Sequence, residues 1–205
     1  MENKLRISVS PHIHGPKSTR GFMLDVILAL LPTSIAGVVI FGAQALVIIA
    51  ACIGTSVACE FLFNLATKRK QTIGDLSAIV TGLLLALNLS VNIPVWQACV
   101  AAAFAIIVVK CLFGGIGCNL VNPAITARVV LFISFATEMT TWTVPRMAAD
   151  VTSTATPLGV LSEGGAELPS NMSLFLGFVG GSMGEVSAIA LLIGGCFLIW
   201  KKIIS

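Results

Sequence analysis

Two apolar runs lie almost end to end near the start of the chain, at about 21–41 and 43–66. Each is long enough for a helix to cross the roughly 30 Å of hydrocarbon in a bilayer. In that solvent every backbone N–H and C=O must find its partner inside the protein, so runs of this kind can only be helices. Further apolar segments follow at about 76–89, 95–113, 123–136 and 172–200. Composition points the same way: 57% of residues are hydrophobic and 10% are charged, with a mean hydropathy of +1.01, where soluble domains carry about a quarter charged residues. The expected fold is all-α, a polytopic membrane helical bundle of about six segments.

Two of those segments are too short to cross a bilayer as straight helices. Those at 76–89 and 123–136 border breaks rich in Gly, Asn and Pro, such as "FGGIGCNLVNPA". Short spans beside such breaks predict half-helices whose irregular backbone lines an internal site. The last segment contains "GGSMGE", which predicts a kink or break at 180–184.

The charge distribution predicts an orientation. Residues 1–20 are polar and basic, with Lys4, Arg6, Lys17 and Arg20, and form an N-terminal segment expected in the cytosol, ahead of a transmembrane domain at 21–205. Alternating sides from there puts "KRK" (68–70), Lys110, Lys201 and Lys202 on the same side. The polar connection at about 137–171, with Arg146 as its only basic residue, becomes one long extracytoplasmic loop. This placement gives the membrane domain a cytosolic and an outer face. The net charge of +3 serves topology, with membrane lipid and not nucleic acid as its partner.

Few residues suit metal or thiol chemistry. The six cysteines never form Cys-x-x-Cys and read as packing thiols, with Cys118 in a glycine-rich turn the exception to watch. His12 and His14 have no third ligand in view, and no metal site is expected. Ionisable groups inside apolar segments are costly and therefore candidates for function. Asp25 and Glu185 are the ion-path candidates, Glu60 and Arg128 are also intramembrane, and Asp75 reads as a helix cap. Arg128 suits either the phosphate of a bound cofactor or an internal ion pair. Asn119 and Asn122, beside Gly114, Gly115 and Gly117, suit either a ligand site or a tight turn between helices.

The stretch "DVTSTATPLG" (150–159) is unusual in so apolar a chain. A Ser/Thr run ordinarily satisfies its own loop backbone. Here Asp150, Ser153, Ala155 and Thr156 resemble the flavinylation pattern Asp-x-x-[Ser/Thr]-Gly-Ala-Thr, with Thr154 where the pattern has glycine. On this resemblance Thr156 carries FMN through a phosphoester placed by a flavin transferase, and Asp150, Ser153 and Ala155 are recognition positions.

"SPHIH", "GDLSAIVTGLLLALNLS", "KCLFGGIGCNLVNPAITAR" and "GSMGEVSAIALLIGG" flank that loop in order. As a set they resemble the family of the D subunit of the Rnf complex, an ion-translocating ferredoxin:NAD+ oxidoreductase, and of the B subunit of the sodium-translocating NADH:quinone reductase. The short lead before the first span favours the Rnf side. The resemblance implies an electron-transfer subunit of a Na+ or H+ pump in a prokaryotic cytoplasmic membrane, one that is not catalytic alone and has the other Rnf subunits as partners. It also implies further C-terminal helices beyond this stretch and, by analogy, a second, non-covalent flavin such as riboflavin. The competing reading is a broken-helix channel or transporter for an ion or small solute, in which the Ser/Thr loop is merely solvated.

Overall fold

A computed structural model of the chain describes residues 18–142, 156–162 and 170–204. Among them are helices and turns and no β-strand. The two long runs form α1 (Thr19–Phe41) and α2 (Ala43–Ala66), a helical hairpin linked by the single residue Gly42. Both are long and apolar enough to cross a membrane. Many of their large apolar side chains face outward, among them Val39 at 71% and Ile35 at 60% exposure. Exposure of that extent would be a liability in water and is the ordinary face a membrane helix shows to lipid.

The later elements are short: α3 (Ser77–Leu87), α4 (Val95–Phe104) running into a π-helical segment (Ala105–Cys111), and α5 (Pro123–Ser134). Beyond them lie α6 (Ala136–Thr140), α7 (Pro157–Ser162), α8 (Asn171–Leu176) and α9 (Ala188–Trp200). The 11 residues of α3 rise only about 16 Å, so the helix ends inside the protein with unspent carbonyls. The expected break supplies their partners: between α8 and α9, the Met183 N–H donates to Leu89 O at 3.3 Å and the Gly184 N–H to Leu87 O at 2.8 Å. A Cβ on Gly184 would lie 2.9 Å from Leu87 O, so this approach requires glycine.

One buried stripe on α2 organises the core. Ala45, Ile48, Ile49 and Cys52 are buried with Leu83, Leu85, Ala98 and Ala101 in the main apolar cluster; Ser56, Glu60 and Asn64 continue the same face as a polar end. The α2–α3 approach is close enough that a Cβ on Gly82 would come 2.8 Å from Cys52 O and 2.9 Å from Ser56 Oγ. We expect Gly82→Val to force these helices apart at a cost of about 1–3 kcal/mol, read as a lower unfolding temperature in detergent. A midpoint equal to that of the unaltered protein would mean the contact is not tight.

Candidate functional site

Three polar groupings stand out, and they differ in depth. The most deeply buried joins the polar end of α2 to α3 and the π-helical segment. Lys110 Nζ lies 2.9 Å from Glu60 Oε1 and 2.5 Å from Ser77 Oγ, and residue exposures are 2% for Lys110 and 1% for Glu60. Thr72 Oγ1 donates to Glu60 Oε1 at 2.6 Å and accepts from Asn64 Nδ2 at 3.0 Å. Asp75 Oδ1 accepts from the Ser77 N–H at 2.9 Å and from Ser77 Oγ at 2.6 Å, so it satisfies the first N–H of α3 from one residue outside the N-cap position, Leu76. Glu60 Oε2 and Ser56 Oγ, both buried, have no partner among the described residues.

This cluster gives Lys110 a role that its position in the sequence does not show. By position alone Lys110 belongs with the charges flanking the membrane segments, but its side chain turns inward from the π-helical segment and neutralises Glu60. The pairing spans 50 residues. The available signals were a lone acid inside α2 and a lone lysine ending an apolar run, and neither names the other.

The second cluster sits where α3 meets the α8–α9 break. Arg128, on α5, donates from Nη1 to Asn88 Oδ1 at 2.9 Å and lies 3.7 Å from Glu185 Oε1. An acid partner is one of the two readings for Arg128, and Glu185 supplies it at the rim of the α8–α9 break. The Glu185 side chain is 63% exposed and that of Arg128 33%, so the pair is weak in energy and its worth is mainly positional. Leu30, Thr33 and Leu84 close a cavity of about 180 Å³ beside Asn88 and Glu185.

Asp25 lies apart from both clusters. It is buried on α1, and its Oδ1 is 3.7 Å from Lys201 Nζ at the end of α9. The two ion-path candidates therefore occupy separate ion pairs.

The third region is the glycine turn before α5. Asn122 is its N-cap, with Oδ1 accepting from the Ala124 and Ile125 N–H groups at 3.0 and 3.4 Å, and Pro123 occupies the first turn as expected. Capping uses the oxygen that a ligand would need, whereas Asn119 keeps Oδ1 buried and without a partner among the described residues.

Thr156 opens α7. It is half-buried, and its Oγ1 accepts from the Gly159 N–H at 3.1 Å; among the described residues that hydroxyl donates no hydrogen bond. Thr156 thus presents a hydroxyl, the group that an acceptor of a phosphoryl group requires, in a half-buried position. Asp150, Ser153, Ala155, His12 and His14 lie outside the described residues. Among the described residues no group of histidine, cysteine and carboxylate side chains has the arrangement of a metal centre, and all six cysteines are free thiols.

Apolar helices of spanning length, half-helices capped by a broken helix, and a buried ion pair define a helical membrane protein built around internal polar sites. The chain belongs to the NQR2, RnfD, RnfE family, whose model matches residues 6–205. It is 45% identical over its whole length to the D subunit of the Na(+)-translocating ferredoxin:NAD(+) oxidoreductase complex of Acetobacterium woodii. It is likewise 37% identical to the D subunit of the proton-translocating ferredoxin:NAD(+) oxidoreductase complex of Clostridium ljungdahlii. Over 89% of the chain it is 36% identical to the D subunit of the ion-translocating oxidoreductase complex of Stutzerimonas stutzeri. The chain spans 65% of the length of the first two relatives and 60% of the third.

Proposed function

We propose that this protein is a membrane electron-transfer subunit of an ion-translocating ferredoxin:NAD+ oxidoreductase complex and carries FMN covalently on Thr156. The observation that carries the assignment to such a complex is the similarity to its D subunits along the whole chain. The flavin reading is supported by Asp150, Ser153, Ala155 and Thr156 in sequence and by the half-buried Thr156 hydroxyl at the start of α7. In maturation, Thr156 Oγ1 attacks the FMN phosphorus of FAD; the Oγ1–P bond forms, the pyrophosphate P–O bond breaks, AMP leaves, and the hydroxyl proton passes to a base of the flavin transferase. Bound flavin then supplies the electron chemistry, and the protein positions it. The chain is multi-pass, with its N-terminus in the cytosol and the Thr156 loop on the outer side, a reading supported by the distribution of Lys and Arg.

The half-helices and the cavity beside Glu185 and Asn88 would equally suit a channel without a flavin. In-gel fluorescence of the denatured native protein separates the two readings, because only a covalent flavin survives denaturation. A dark band from cells whose flavin transferase is active would remove the redox reading.

Two relatives matched along the whole chain are named for different ions, so the ion has to be measured in this protein. Asp25 and Glu185 are the proposed path residues. Asp25→Asn and Glu185→Gln are each expected to lower ion uptake per electron in proteoliposomes while electron transfer continues. An unchanged ratio in both would end that assignment.

A further inference from the structure

Beside the buried Glu60–Lys110 pair lies a polar pocket of about 220 Å³ that none of the roles above uses. Glu60 forms part of its wall, Arg69 and Lys70 line it as exposed residues, and Gly114 and Gly115 leave the opposite side without side chains. We propose that this pocket binds the headgroup of an anionic glycerophospholipid that carries a free hydroxyl on its phosphodiester, as phosphatidylglycerol does. The inference is independent of the flavin reading.

Three observations converge on that chemistry. The first is depth: α2 stays apolar through Ala66, and the basic stretch Lys68 to Lys70 follows at once, so the pocket lies where a spanning helix leaves the hydrocarbon and meets headgroups. The second is charge. Arg69 spends one nitrogen on Cys111 O at 3.1 Å and retains further N–H groups, and Lys70 stands beside it, so a phosphate meets two cations.

The third is the vacant acceptor. Glu60 Oε1 already accepts from Lys110 and Thr72, but Oε2 is buried without a partner among the described residues, and such an atom is costly to leave unmatched. Lys110 already balances the carboxylate charge, so a second ammonium brought to Oε2 would be repelled by Lys110 and meet a pair with little net charge to hold it. A neutral hydroxyl donor satisfies Oε2 without that repulsion, which selects a glycerol headgroup over an ethanolamine one. The volume agrees, since about 220 Å³ is below the range of roughly 300–1,000 Å³ typical of pockets for drug-sized ligands and cofactors.

Native mass spectrometry of the purified, delipidated full-length protein tests this by titration with three dioleoyl lipids. Phosphatidylglycerol is expected to bind about tenfold tighter than phosphatidylmethanol, which has the same charge and no headgroup hydroxyl. It is also expected to bind more tightly than phosphatidylethanolamine. Lys70→Gln should weaken both anionic lipids by about fivefold and leave the unfolding temperature in lipid-free detergent unchanged, because that side chain is exposed. Changing the lipid, and not Glu60, keeps the test clear of a variant that strands Lys110 in the interior. Equal affinity for phosphatidylglycerol and phosphatidylmethanol would overturn the proposal, as would a preference for phosphatidylethanolamine. Displacement of phosphatidylglycerol by an equal concentration of glycerophosphoglycerol would assign the site to a soluble phosphodiester and overturn the lipid.

Discussion

Thr156→Val is expected to abolish covalent flavin fluorescence of the denatured protein completely, while Thr156→Ser retains it. Valine keeps the branched shape of threonine and removes the one atom that can form the phosphoester. It also removes the acceptor that caps α7 through the Gly159 N–H; loss of such a cap costs about 1 kcal/mol, and on a helix of 6 residues the effect stays local. Serine restores both the hydroxyl and the cap, so comparing the two variants separates chemistry from local order. Thr154→Val is the positional control, because Thr154 is the neighbouring hydroxyl in the stretch, and it should leave the fluorescence in place. Mass spectrometry of the peptide around Thr156 reads the site directly. Fluorescence surviving in Thr156→Val and lost in Thr154→Val would move the attachment to the other threonine.

The largest expected loss of stability is that of Lys110→Met. Methionine has nearly the length of lysine and fills its space, but Glu60 then stands inside the protein without the cation 2.9 Å from its Oε1. Removing one member of a buried ion pair costs about 3–5 kcal/mol, most of it the penalty of an unpaired charge. Ser77 Oγ loses a partner in the same change. Replacing both members, as in Glu60→Gln with Lys110→Met, removes the stranded charge and should recover much of the loss. The double variant is therefore expected to unfold at a higher temperature in detergent than Lys110→Met alone. If Lys110→Met unfolds within about 1 kcal/mol of the unaltered protein, the pair contributes no more than a surface salt bridge.

The position of that pair explains its cost. The acid and the lysine come from α2 and the π-helical segment, and Arg69 ties the end of α2 to the same segment through Cys111 O. Breaking the pair therefore loosens the junction that also shapes the pocket beside Glu60. The Arg128–Glu185 contact at the α8–α9 break is the opposite case: its groups are partly exposed, and its loss should cost little stability while changing local geometry.

Much of the fold was legible in the sequence because membrane solvation acts on local composition. The runs at 21–41 and 43–66 are α1 and α2, Pro94 and Pro123 stand at the starts of α4 and α5, and "GGSMGE" falls in the break before α9. A backbone in hydrocarbon has no choice but helix, and proline and glycine mark where helix begins or fails. The resemblance carried by the quoted motifs likewise needed only order along the chain, and the family match over 6–205 agrees with it.

What tertiary structure alone decided is which polar groups meet. Helices surrounded by lipid are apolar on every side, so hydrophobic periodicity does not mark the buried face of α2, and its organising stripe is written in small and polar residues instead. Lys110 reads as the flank of an apolar segment because a lysine ending such a run ordinarily reaches for the interface. The π-helical hydrogen bonding of 105–111 sets which way that side chain turns, and 50 residues separate it from Glu60. Asn122 was legible as a residue of the turn, but its capping of α5 depended on the backbone geometry there. Local composition fixes where this chain is helical; the buried ion pair and the pocket beside it exist only because distant segments pack together.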